Sequence, residues 1–434
     1  MATSVSSSSL AINGGSKAVA GQDDQLFRWP IVTAEDEQAV LDVLRAGNMS
    51  GIDITQKFEA EWGQYLGTKY NLGHCNGTMA LLAAMFAVGL GRGDEMILPS
   101  ITYWASGLQT YSLGATPVFA DIDPVTLTID PKDIEHRITP KTKAICVVHY
   151  CGHPCDMDAI MPIARKHKLK VIEDVSHAQG TLYKGKRVGA FGDAAGISMM
   201  AGKSFPTGEG GMFCTNDEMI YQRAVAFAHY ERIGSDVTDP KLRNQCIGQG
   251  RIGALPLGGV KGRMNQTASA MGRVQLKHYE KRIKEIQDAI NRFWDLLEGV
   301  PGLRPHRPAK GSGSTMGGWY NPLGHYLPEE LGGLSVDKFV EAVNAEGGRV
   351  GRNINFPLHL SPVFLQADIY RDGKPTRNAF TDRDVRQQAG SLPHSEAAGE
   401  RCVGVPYFKH DQPEIITRYA EAYKKVALRA EELL

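Results

Sequence analysis

Residues 171–180 read VIEDVSHAQG and residues 196–212 read GISMMAGKSFPTGEGGM. The first run, Lys170-Val171-Ile172-Glu173-Asp174, has the length and apolar content of a buried strand, and it ends in two acids. Similar short runs stand at Met96–Leu98, Pro117–Ala120, Ala144–Val148, Ala194–Met199 and Gly211–Cys214. Helical patterns lie between them. Thr33 caps one over Ala34 to Ala46, Gly67 closes another that begins near Thr55, and a third covers 78–90. Asp156 caps a fourth over Met157–His167. Short strands separated by helices predict an α/β architecture, a mostly parallel sheet sandwiched by helices.

In such a sheet ligands bind outside the carboxyl ends of the strands. Asp174 is therefore placed for function. Lys203 follows it by 29 positions, after a second apolar run and among small residues that leave room around it. Together they offer what pyridoxal 5'-phosphate requires: a carboxylate that keeps the ring nitrogen protonated, and an amine that forms a Schiff base. An apolar pocket lowers the pKa of a lysine, so the neutral amine can attack an aldehyde. Taken singly, Lys203 reads as an exposed loop lysine, while a helix cap or surface acid is the alternative for Asp174. Their spacing and the TGEGG turn reverse that reading.

The phosphate of such a cofactor needs backbone N–H groups at a helix start, with hydroxyls nearby. His74-Cys75-Asn76-Gly77-Thr78-Met79 supplies them, with Gly77, Thr78 and Met79 as the binding residues, although ordinary N-capping explains the same residues. Ser198 is a second hydroxyl. His177 is placed to reach the phenolic oxygen of the ring, and Tyr103 to stack on its face.

The chain has 434 residues, 42% apolar and 22% charged, with 48 basic and 48 acidic side chains. That balance argues against nucleic acid or an anionic membrane as partner. The longest apolar run, Met79–Leu90, is too short to span a bilayer. Seven cysteines are no disulfide scaffold, and a reducing cytoplasm is the simplest setting. Cys146, Cys151 and Cys155 interleave with His149 and His153, but no second pair stands at zinc-finger spacing, so no metal site is assigned. Three units are expected: a flexible N-terminal tail over 1–25, a large cofactor-binding domain over 26–285 and a small α/β domain over 286–434. An organelle transit peptide is the second reading of the tail. Residues 360–400 read as a long polar surface loop.

Six patterns occur together: NGTxAL at Asn76–Leu81, PSxTxxA at Pro99–Ala105, GAxPVFxDID at Gly114–Asp123, GxPxDMDAI at Gly152–Ile160, EDxxxxxG at Glu173–Gly180 and KxxxxGEGG at Lys203–Gly211. In this the chain resembles the DegT/DnrJ/EryC1/StrS family of sugar and cyclitol aminotransferases, within fold type I of the pyridoxal-phosphate enzymes. The resemblance implies a Schiff-base role for Lys203 and a pyridinium partner in Asp174. It implies cofactor contacts at His177, Ser198, Thr78 and Tyr103. It implies a homodimer with shared active sites, in which the segment Gly259–Met264 reaches the phosphate held by the neighbouring subunit. Lys261 stands there in place of the family's asparagine. The implied reaction moves an amino group from glutamate or glutamine to a keto-sugar or keto-cyclitol. The family's dehydratases carry histidine where this chain has Lys203, which favours transamination. A lyase or dehydratase of the same fold, or a non-catalytic regulator that binds the cofactor, is the alternative. Arg352, His359 and His325 are read as structural.

Overall fold

The computed structural model describes residues 9–21, 23–248 and 253–434. The large domain is built on strands β1 (Tyr70–His74), β2 (Glu95–Pro99), β3 (Thr116–Ala120), β4 (Thr142–Val148) and β5 (Lys170–Asp174). A short hairpin of β6 (Leu182–Tyr183) and β7 (Lys186–Arg187) follows, then β8 (Ala194–Ser198) and β9 (Gly211–Thr215). All but the hairpin form one sheet, ordered β1-β9-β8-β5-β4-β2-β3. β9 runs antiparallel to both neighbours, and the other pairings are parallel. The strands are apolar without alternation because helices cover both faces. Helix Gly77–Ala87 is apolar all round and lies buried against β8 and β9, with Asn76 as its cap.

Register brings the carboxyl ends of the parallel strands together. Val148 pairs with Asp174, and Ser198 pairs with Gly211, which also faces His74. Two glycines permit the close approach there. A Cβ on Gly77 would lie 2.6 Å from the Ser198 Cβ, and one on Gly211 would lie 2.4 Å from the Asn76 carbonyl oxygen. No other residue type brings this helix N-terminus onto the strand ends.

The small domain holds the antiparallel sheet β10 (Leu303–Pro305), β11 (Leu323–Tyr326) and β12 (Cys402–Gly404), packed by helices Val336–Ala345 and Pro413–Leu428. Helix Gln266–Leu296 runs unbroken between the two cores. Tyr279 and Ile283 pack into the large domain, and Ile286, Ile290 and Phe293 into the small one.

Two expectations are corrected. The flexible tail expected over 1–25 is tied down from Leu10 onward, and residues 1–8 and 22 lie outside the described residues. Leu10 is fully buried, and the buried Glu346 carboxylate accepts from the amides of Ala11 and Ala18 and pairs with Lys425. The polar surface loop expected over 360–400 instead covers the open edge of the main sheet. Arg377 is 1% exposed, donates Nε–H to the Pro117 carbonyl at 2.9 Å and stands over the Phe119 ring. Gln387 hydrogen-bonds both the amide and the carbonyl of Phe119. The insertion thus satisfies backbone groups that an edge strand would leave open. Residues 393–401 form a helix. Among the described residues no helix is long and apolar enough to cross a membrane.

Candidate active site

A cavity of about 560 Å³ opens at the carboxyl ends of β4, β5 and β8. Gly77, Thr78, Tyr103, Asp174, His177, Ser198 and Lys203 all line it. Met79, whose amide was expected at the phosphate, does not. The Met79 amide donates to the Asn76 Oδ1 at 2.9 Å, so the cap takes it, and the side chain leaves the cavity. Lys261 is exposed and lies outside this chain's own cavity.

Asp174 ends β5 nearly buried, at 4% exposure. Its Oδ2 accepts from the Ser106 hydroxyl at 2.7 Å and its Oδ1 from the Ser176 amide at 3.0 Å. Both carboxylate oxygens are thus held by donors of the chain itself. Behind it, Glu173 points away from the cavity. It accepts from the amides of Gly189, Phe191 and Gly192 and pairs with His149 at 3.1 Å. The two adjacent acids thus divide, one toward the cavity and one toward a closed internal turn.

Lys203 stands on the excursion between β8 and β9. Hydrogen bonds from Ala201 N–H to Gly208 O and from Thr207 N–H to Met199 O close this excursion. Gly208, at φ +88°, makes the turn. The Trp29 indole donates to the Lys203 carbonyl at 2.8 Å and pins the backbone. Burial pushes the amine down to about 8, against the opposing pull of Asp174. Burial and the nearby Lys203 charge hold His177 well below the usual histidine range, so it is neutral. Its Nδ1 accepts from the Cys151 amide at 3.4 Å, which places its proton on Nε2.

At the N-terminus of helix Gly77–Ala87 the amides of Gly77 and Thr78 and the Thr78 hydroxyl make no hydrogen bond among the described residues. Free N–H groups at the positive end of a helix, beside the Ser198 hydroxyl, are donors of the kind an anion needs. Among the described residues no group of three or more His, Cys, Asp or Glu could hold a metal ion.

Sequence reasoning missed the wall supplied by the small domain. Tyr320, Asn321, Asn353 and Asn355 line the cavity. The Lys203 Nζ sits 4.1 Å from the centre of the Tyr320 ring, which also packs on His177 at 4.6 Å. This wall rests on a left-handed backbone: Gly317, Trp319 and Asn321 have φ of +53°, +48° and +51°. For non-glycine residues that costs about 1 to 3 kcal/mol each. The fully buried Trp319 indole and the Tyr407 hydroxyl, which donates to the Gly318 carbonyl, hold it in place. No periodicity marks such a loop. A glycine pair before aromatic residues was the one signal present. Ser106 and Ser176 were also missed, although an acid followed two residues later by serine is a local turn signature. Arg352 pairs with Asp337 and Glu400, and His359 bonds Ser100 and Glu396. Neither lines the cavity.

The chain matches the profile of the DegT/DnrJ/EryC1/StrS aminotransferase family over residues 30–423. It belongs to that family. This fold type I enzyme is thus an aminotransferase. It is 40% identical to a GDP-perosamine synthase from Caulobacter vibrioides over 77% of this chain and 88% of that one. It is 29% identical to the L-glutamine:2-deoxy-scyllo-inosose aminotransferase of Micromonospora echinospora, over 98% and 99% of the two chains. Among solved structures, an aminotransferase from Psychrobacter cryohalolentis superposes with a TM-score of 0.80 at 28% identity, covering 93% of this chain and 99% of that one.

Proposed function

We propose that this aminotransferase works with pyridoxal 5'-phosphate, taking an amino group from glutamate or glutamine and passing it to a keto-sugar or keto-cyclitol. The observation that carries the reading is that Lys203 and Asp174 share one cavity, the lysine with a lowered pKa and the acid held by two hydrogen bonds. The residues fit the cofactor. Gly77 and Thr78 offer unengaged N–H groups for a phosphate, and Ser198 a hydroxyl. The contact between Gly77 and Ser198 leaves no room for a Cβ. Similarity to a perosamine synthase and an inosose aminotransferase supports the acceptor class.

Bound there, pyridoxal phosphate supplies the electron sink that makes the proton on an amino-bearing carbon removable. The chain's own residues do the rest. Asp174 holds a proton on the ring nitrogen by charge. Lys203 would be the attachment point, and its free amine would take and return the proton at the substrate carbon. Its pKa near 8 suits both directions, because the amine takes and returns a proton near neutral pH. Neutral His177 would hold the ring through Nε2–H, and Tyr103, half-exposed at the mouth, would stack on it.

The assembly is proposed as a homodimer. The exposed Lys261, outside its own cavity, would then reach the phosphate in the partner's cavity. The division into 26–285 and 286–434 is proposed on the change of core along helix Gln266–Leu296. The test is spectroscopic. Protein loaded with the cofactor should change its visible absorbance on adding glutamate and regain it on adding a ketone acceptor. A spectrum indifferent to amino donors sinks the reading.

A further inference from the structure

Lys409 is a buried lysine without a polar partner. It is 3% exposed, and its Nζ makes no hydrogen bond among the described residues. The acid two residues on is spent elsewhere, since Asp411 pairs with Arg292 at 2.8 Å. Two aromatic rings take the place of a carboxylate. The Nζ stands over the Tyr407 ring, 2.8 Å from its centre, and over the Trp29 ring at 4.3 Å. Burial holds the amine well below the ordinary lysine value. Burying an amine in this way costs free energy that a methionine of similar length would not. What the amine offers in return is N–H groups for two ring faces at once.

Each ring holds a backbone carbonyl of the cavity at its far end. The Trp29 indole donates to the Lys203 carbonyl at 2.8 Å, and the Tyr407 hydroxyl donates to the Gly318 carbonyl at 2.8 Å. Gly318 lies in the left-handed loop whose Tyr320 ring stands 4.1 Å from the Lys203 Nζ. The Lys409 amide donates to the Leu26 carbonyl at 2.9 Å, three residues before Trp29, so its backbone is fixed to the same N-terminal arm. One amine thus joins the support of the large-domain wall to the support of the small-domain wall. We propose that Lys409 is a positioning residue: through Trp29 it sets the backbone of Lys203, and through Tyr407 it sets the Tyr320 loop against the Lys203 amine. The proposal rests on the reading of Lys203 as the group that captures the cofactor, and no step of the reaction passes through Lys409 itself.

Three full-length variants test it: Lys409→Met, Trp29→Phe and the two together. Each is prepared free of cofactor and mixed with pyridoxal 5'-phosphate at pH 8 while the change in absorbance is timed, and melting curves are recorded alongside. Lys409→Met should capture the cofactor about tenfold more slowly, because a small displacement of the Lys203 backbone misaims the amine. It should melt at the parent's temperature or above, since the unpartnered buried amine is gone. Trp29→Phe keeps a ring and loses the N–H, and it should slow capture by a similar factor. The double variant should be no more than about threefold slower than the slower single one, because both changes act on the same carbonyl. A Lys409→Met rate equal to the parent's, a melting temperature well below the parent's, or losses that multiply in the double variant overturns the proposal. A parent that shows no absorbance change with the cofactor defeats the reading of Lys203 as well, whereas a parent that captures it beside variants that capture it equally fast defeats this proposal alone.

Discussion

The two halves of the cavity are made in different ways. The large domain presents Asp174 and Ser198 on the ends of strands locked into a sheet, with Gly77 and Thr78 on a capped helix. The small domain presents Tyr320 and Asn321 on a left-handed loop held by a buried indole and one hydroxyl. Rigid strand ends suit the groups that would hold the cofactor, whose misplacement by an ångström is costly. A strained loop suits recognition, because its sequence can change without disturbing the sheet. Changes to the first half should therefore abolish turnover, and changes to the second should retune it.

The largest effect belongs to Lys203. Lys203→Ala should cut amino transfer by roughly three orders of magnitude or more, with the melting curve little changed. Full activity in that variant would break the comparison at its base. Asp174→Asn should cost about a hundredfold in rate by removing the charge that holds the ring proton. Coupled donor-to-acceptor assays check both.

A pH series sharpens the electrostatics. Burial lowers the Lys203 amine to about 8, so the neutral fraction falls tenfold for each pH unit below that value. Capture of the cofactor by cofactor-free protein should slow accordingly from pH 8 to pH 6 in stopped-flow absorbance. Because the folded pKa lies below that of an unfolded lysine, the stability penalty is full below about 8 and fades as pH rises from there toward the ordinary lysine value. Above about pH 8 the rate should level off, and a rate that kept rising tenfold per unit toward the ordinary lysine value would show the amine to be unshifted.

Smaller effects come from the loop. Tyr320→Leu removes the ring face from the Lys203 ammonium, so the capture midpoint should move lower by about half to one pH unit. Asn321→Gly relieves a left-handed position but loses the hydrogen bond to the Asn353 carbonyl, so stability in chemical denaturation should stay within about 1 kcal/mol of the parent while the acceptor step slows. A variant that kept the parent's acceptor rate would show that the loop's strain serves no recognition.

The same contrast explains what was legible in the sequence. Strand ends are readable because an apolar run closing on Asp174 or Ser198 states both the element and the end at which the side chain stands. The helix start at Gly77 carries its own cap signal, although the cap also took the Met79 amide counted for the phosphate. Asn353 and Asn355 carry no such mark. They come to the cavity through the docking of β12 and the bridge of Gly351 to Gly404, contacts between residues far apart in the chain. The 360–400 insertion misled for a related reason. Polar composition suggests exposure, but the buried Arg377 and Gln387 donate to carbonyls of β3, a pairing that composition does not register.

Helix Gln266–Leu296 has a mechanical consequence. With 31 residues it is a rod of about 46 Å, and its two ends are rooted in different cores. Relative swinging of the domains cannot hinge inside it without breaking backbone ladders, so any closing motion must flex the Pro- and Gly-rich connections at 300–318 and 347–357. Heat should likewise melt both cores in one cooperative step rather than two, because neither can lose its share of the rod alone.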